Sequence, residues 1–189
     1  VGACHKWMCA PKGVSFLYAK ESLKDSIEPL VISWGWRDEM LNEKSKYINN
    51  HQWQGTNDLS AYLTIPKVIR FLNQNNWNDI STECHNLILY VKNQFNIDKS
   101  LCSPTSNNDK HLGQMLSFQL DENNKISIAV KENPSKIVEL QKTIFKQSNI
   151  HIPIIYWNGS VFMRVSIQAY NTKDDINKMF DMLEYFNLL

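Results

Sequence analysis

The spacing of apolar residues changes along this chain, and each change marks an element. Val14–Ala19 is a nearly continuous run rich in β-branched and aromatic residues, and it predicts a buried strand. Pro29–Ser33 predicts a second short extended segment. Residues 34–57 carry Trp34, Trp36 and Trp53 without a clear period and read as irregular. Asp58 is placed to N-cap a helix running through Leu72, with Pro66 bending it or splitting off its first turn. From Trp77 to about Phe95 the period is helical: Ile80, Cys84, Leu87, Ile88, Val91 and Phe95 share one face. Gln114–Leu120 predicts a strand, residues 121–124 a turn, and Lys125–Val130 the strand paired with it. Ser135–Ser148 has the pattern of an amphipathic helix. Ile150–Trp157 and Val161–Ile167 predict strands joined by the hairpin signal Asn158-Gly159. Thr172 opens a last helix, with Asp174 and Asp175 in its first turn. Its apolar stripe is Ile176, Met179, Phe180, Leu183 and Phe186.

These elements divide the chain. The second half predicts a compact α+β unit, two helices on a small sheet, after a polar loop at 103–111; with the helix from Trp77 it makes up a C-terminal domain over 76–189. Residues 1–75 read as a piece of something larger. The chain starts at Val1, five residues before the lysine discussed below, so a truncated or partial domain is expected. Basic and acidic residues nearly cancel, 20 against 19, with no long run of one sign. That argues against nucleic acid or an anionic membrane surface as the partner. No apolar run is long enough for a membrane span, and no signal peptide is evident. Cys4, Cys9, Cys84 and Cys102 lack paired spacing and are expected to be reduced thiols in a cytoplasmic protein. None of the 6 glycines forms a Gly-rich phosphate loop.

Three constellations can carry chemistry. In Cys4-His5-Lys6-Trp7-Met8-Cys9 a lysine lies among apolar and aromatic residues, before a Pro11-Lys12-Gly13 turn. Desolvation there would disfavour the ammonium and free an amine able to condense with an aldehyde, commonly that of pyridoxal phosphate. Taken alone, the window fits a snorkelling surface lysine better. The second constellation is Gly55-Thr56, before the predicted helix, where a hydroxyl and free N–H groups can hold an anion. A plain turn with an N-cap explains it more simply. The third is Arg164, inside a predicted strand. It either pairs with an anion, a carboxylate held by two parallel hydrogen bonds, or lies on an edge strand in water; pattern alone leaves the two even.

Taken together, CHKWMCAPKGVSFLY, PLVISWGW, WQGTNDLSAYLTIP, GQM at 113–115 and IPIIYWNGSVFMRVSIQAYNT carry a resemblance. The chain resembles the class V aminotransferase family of pyridoxal-phosphate enzymes, and within it the isopenicillin N epimerases, over essentially its whole length. The resemblance implies an α/β chain of the fold-type I transferase kind. Residues 1–75 would be the end of the large cofactor domain with its linking helix, and 76–189 the small C-terminal domain. It implies that Lys6 is the Schiff-base lysine and that His5 contacts the cofactor phosphate. It implies that Gly55-Thr56 reaches the phosphate of a neighbouring subunit in a homodimer, and that Arg164 clamps the substrate carboxylate.

There are departures. The pattern S-x-H-K would put serine at Ala3, which removes one phosphate hydrogen bond. No cysteine follows Cys102, which counts against sulfur abstraction as the family's desulfurases perform it. The family's N-terminal half, with the ring-stacking aromatic and the acid at the pyridine nitrogen, has no counterpart here. The expected activity is epimerisation at Cα of an amino acid, which needs a second acid on the opposite face. Transamination or carbon–sulfur lysis is the alternative within the family, and a non-catalytic dimerising remnant the alternative outside it. Alone, the chain is expected to be poorly soluble, inactive, and to bind cofactor weakly or not at all.

Overall fold

The computed structural model describes residues 1–36, 45–94 and 112–188, and these form two compact units, 1–75 and 76–189. The chain is mixed α/β.

In the first unit, β1 (Gly2–Ala3) pairs antiparallel with β2 (Ser15–Phe16), Gly2 opposite Phe16 and Ala3 opposite Ser15. The expected strand over 14–19 is therefore two residues long. Val14 is buried, but Phe16, Leu17 and Tyr18 are exposed, so the run lacks the cover its composition demands. Pro29–Ser33 forms no strand, and Leu30, Val31 and Ile32 face solvent. Among the described residues of the stretch 34–57 is an element the sequence did not announce, helix α1 (Lys46–Gln52), capped by the Ser45 hydroxyl accepting from Ile48 N–H. Gly35 lies so close to the Asn49 backbone that no Cβ fits there. The helix expected from Asp58 is split as Pro66 requires: α2 (Ser60–Leu63) stops, and α3 (Ile65–Gln74) starts with proline in its first turn.

The second unit is built on a three-stranded antiparallel sheet with its last strand in the middle. Helix α4 (Trp77–Gln94) buries Cys84, Ile88 and Val91 as the helical period predicts; Phe95 and the loop 103–111 lie outside the described residues. Strand β3 (Met115–Gln119) follows. The partner strand expected at Lys125–Val130 is instead helix α5 (Lys125–Glu132). Asn124 caps it, its side-chain oxygen accepting from Ile126 N–H at 2.8 Å. Ile126, Ile128 and Val130 alternate like a strand, yet Ile126 and Val130 also stand one helical turn apart, and both are buried. Local capping and the i,i+4 pair decide for the helix, and β3 finds its partner later in the chain.

Helix α6 (Ile137–Ser148), entered through a 3₁₀ turn at Pro134–Lys136, leads to β4 (Ile154–Trp157) and β5 (Ser160–Ser166). Strand β4 begins four residues later than expected. At the hairpin Asn158 and Gly159 have φ of 49° and 79°, the two positive values that a tight two-residue connection needs. Strand β5 pairs with β4 on one side and β3 on the other, Met163 opposite both Ile154 and Phe118. Helix α7 (Lys173–Tyr185) closes the unit. Its stripe is as expected at Ile176, Met179 and Leu183, which are buried, and it gains Met182; Phe180 and Phe186 are half-buried against the same core. Among the described residues the fold thus places four helices, α4 to α7, with the sheet; three were expected, and α5 is the addition.

Two predictions follow from this packing. Met163 is wholly buried in the central strand, so Met163→Ala lowers the unfolding free energy of the second unit by about 2–5 kcal/mol in urea titrations. At the start of α7, Thr172 N–H donates to Asp175 Oδ2 at 2.9 Å, and Asp175 N–H donates to the Thr172 hydroxyl oxygen at 3.3 Å. The Thr172 N–H and hydroxyl, with a smaller contribution from Lys178, hold the exposed Asp175 carboxyl below its ordinary value. A depressed folded-state value means that the cap's contribution is complete above the ordinary aspartate range and is lost as pH falls through the depressed value. Helicity near α7 measured against pH should therefore show an acid-side loss that Asp175→Asn removes.

Candidate functional site

The Lys6 loop is closed by its own backbone. Cys4 N–H extends the β1–β2 ladder to Val14 C=O at 3.1 Å, and Ala10 N–H returns to Cys4 C=O at 3.0 Å. Between them Cys9 N–H bonds Lys6 C=O at 3.1 Å, with Cys9 in a left-handed conformation, φ 58°. Cys4, Ala10 and Val14 are the buried pins of this loop, and Ala61, Ile65 and Val68 of α2 and α3 pack against them. The pins point inward, so His5 and Lys6 are turned out and both are exposed. This corrects the expected apolar enclosure of Lys6: the burial needed to desolvate the amine is not supplied by the described residues. The amine is accessible, and no described carboxylate pairs with it.

Gly55 and Thr56 lie just ahead of the helices that carry the Lys6 loop. Gly55 is half-buried with φ 102°, and the Thr56 side chain is exposed. The expectation of free backbone N–H groups here is only partly met. Asp58 Oδ1 already takes Ser60 N–H at 2.8 Å, and Asn57 Oδ1 takes Asp58 N–H at 2.8 Å. The Ser60 N–H and hydroxyl hold the Asp58 carboxyl below the usual aspartate range. The Thr56 hydroxyl is exposed and can meet an anion.

Arg164 lies in the second unit, in the middle of β5. Strand β5 is central in its sheet, which removes the edge-strand reading. Val161, Met163 and Val165 alternate into the core, so Arg164 is on the opposite face, half-buried. Its Nε is shut off from solvent and has no hydrogen-bond partner among the described residues. A buried N–H left in that state costs about 1–3 kcal/mol, which a bound acceptor would recover. Arg164 lines a cleft of about 550 Å³, whose polar wall includes His151, Tyr170, Asn171, Asp175 and Lys178. The sequence reading missed His151 and Lys178. Lys178 lies on the polar face of α7 and carries no motif signal.

The family model for class V aminotransferases matches residues 1–179. The chain belongs to this family. Among its relatives are isopenicillin N epimerase of Amycolatopsis lactamdurans, 23% identical over 97% of this chain and 45% of the relative, and isopenicillin N epimerase of Streptomyces clavuligerus, 20% identical over 97% and 46%. A probable chloroplastic L-cysteine desulfhydrase of Arabidopsis thaliana is 24% identical over 95% of this chain and 38% of its own length. The chain spans less than half the length of these curated relatives. Class V members are pyridoxal-phosphate enzymes. An accessible amine at Lys6 with an imidazole next to it in sequence is a donor pair that suits the aldehyde and phosphate ends of that cofactor. Among the described residues no helix is long and apolar enough to cross a membrane, and no cluster of metal ligands occurs.

The orphaned guanidinium gives a prediction. Arg164→Met keeps the aliphatic stem and removes the unpaired N–H. Unfolding free energy should be unchanged or raised by up to about 1 kcal/mol in denaturant titrations. A loss as large as that for truncating Met163 would show that Arg164 is structural.

Proposed function

We propose that this chain is the C-terminal part of a pyridoxal-phosphate enzyme acting at Cα of an amino acid, of the epimerase type. The observation that carries this reading is Arg164: a guanidinium on a central strand, half-buried beside a cleft, with a dry and unpartnered Nε. Family membership and the exposed Lys6 amine support the rest. Residues 1–75 then correspond to the end of the large cofactor domain and 76–189 to the small domain.

Lys6 would hold the cofactor through its amine, with the His5 ring on its phosphate, and the Thr56 hydroxyl, next to Gly55, would reach the phosphate of the cofactor in the neighbouring subunit. When bound, the cofactor draws electron density away from Cα and makes the Cα–H bond acidic. Arg164 binds the α-carboxylate through parallel N–H···O bonds and fixes the orientation of Cα. The Lys6 amine takes or returns the Cα proton on one face, and inversion needs a second acid to serve the opposite face. The exposure of Lys6 leaves that amine in water in the described structure, and proton transfer at Cα calls for cover over it. A homodimer, with Gly55-Thr56 serving the neighbouring subunit, belongs to this reading. A reducing setting such as the cytoplasm belongs to this reading, since the four cysteines lack paired spacing. A carbon–sulfur lyase is the second reading, favoured by the relative named as a probable L-cysteine desulfhydrase.

Borohydride trapping tests the cofactor assignment even when affinity is weak. The chain is incubated with pyridoxal phosphate, reduced, and mapped by peptide mass. A phosphopyridoxyl group should accumulate on Lys6 several-fold faster than on the nearby exposed Lys12, and should be absent from that peptide position in Lys6→Ala. Equal labelling of Lys6 and Lys12 would overturn the assignment and leave the non-catalytic remnant as the better description.

A further inference from the structure

The wall of the cleft beside Arg164 carries two cationic side chains and one carboxylate. Lys178 on α7 lines it as well. Asp175 is the only carboxylate among the residues that line it, and its Oδ2 already accepts from the Thr172 N–H at 2.9 Å and the Thr172 hydroxyl at 3.1 Å. Lys178 is close enough to help lower Asp175, but among the described residues neither Lys178 nor Arg164 forms an ion pair. One cation is therefore half-buried with an N–H that lacks an acceptor, and the other is exposed at the same cleft.

Size bears on the same point. The cleft, about 550 Å³, lies within the usual range of small-molecule sites, roughly 300–1,000 Å³. It has room for a carboxylate, a spacer and a second polar group. Its apolar wall from Ile150, Pro153 and Met179 suits a short methylene spacer.

We infer that the Arg164 cleft selects an amino acid carrying a second acidic group, with Arg164 on one acid and Lys178 on the other. That the ligand is an amino acid rests on the function proposed above; that it is doubly acidic rests on the cleft. Lys178 is a specificity-determining residue, since it meets the distal acid and not the reacting carbon. Its exposure limits the size of the effect, because water and salt screen an exposed ion pair.

Glutarate and butyrate are suitable probes, because they differ by one carboxylate and need no cofactor. Their affinities for the whole chain are measured by calorimetry at low salt. Glutarate should bind more tightly, and Lys178→Gln should reduce that preference by about fivefold while hardly changing butyrate. Lys178→Arg should retain the preference, and Arg164→Gln should weaken both acids. Equal binding of the two probes, or a preference that survives Lys178→Gln, would overturn the second acid subsite and leave the Arg164 assignment standing. Binding of neither acid would overturn the inference and the Arg164 role together. Selective labelling of Lys6 reports on the cofactor end separately, so the two failures are distinguishable.

Discussion

The second unit depends on the alternation of one strand. Strand β5 is hydrogen-bonded on both edges and buries Val161, Met163 and Val165 on one face. Residues two apart on a strand share a face, so burying these three fixes Arg164 on the other. A register slip of one residue would drive the guanidinium into the apolar core and expose Met163, at a cost of several kcal/mol for the unpaired charge alone. Packing on one side of the sheet thus sets the position of the cation on the other. The hairpin at Asn158-Gly159 reinforces that register, because its two positive φ values allow only a tight connection between β4 and β5.

A different constraint holds Lys6. The loop is short and closed by backbone bonds from Cys4 to Val14 and from Ala10 to Cys4. Small buried side chains pin its two ends on α2 and α3. With the ends pinned inward, the middle of the loop has to point out, and His5 and Lys6 are in the middle. The same pins that make the loop rigid therefore make the amine accessible. A lysine's neighbours in sequence do not determine its burial; the direction of the loop does.

Much of this was legible in the sequence, and the failures have physical causes. Helix α4, the β4–β5 hairpin and α7 carry long periods, a turn signal and a capping box, so local and tertiary preferences agree there. Pro66 divides α2 from α3 for the same reason. Lys125–Val130 failed because its apolar residues satisfy both periods, and the deciding groups were Asn124 and the neighbours that Ile126 and Val130 meet. The run at 14–19 has strand composition but only a two-residue partner, and composition cannot supply hydrogen-bond partners. Of the candidate residues, Lys6, Gly55, Thr56 and Arg164 were visible as motifs. The central position of β5 was not, because strand order depends on pairing remote in sequence. Lys178 was invisible because an exposed lysine on a helix looks like any solvated residue until the cleft beside it is seen.

The two units differ in how far each can hold its chemistry in place. The second buries a continuous core from α4 to α7, and its cleft forms among residues of that unit alone. Arg164 is positioned by packing before any ligand arrives, which in the proposed reading lowers the ordering cost of binding an acid. The first unit buries little among its described residues beyond Cys4, Ala10, Val14 and Ala19, while Leu30, Ile32 and Trp34 stand largely in water. A core that small offsets little conformational entropy. Its Lys6 loop is locally closed, but the helices beneath it rest on limited apolar contact. In the proposed reading, recognition of the acid is therefore the part of the chemistry that this chain preorganises, and proton handling at Lys6 is the part that needs further apolar cover.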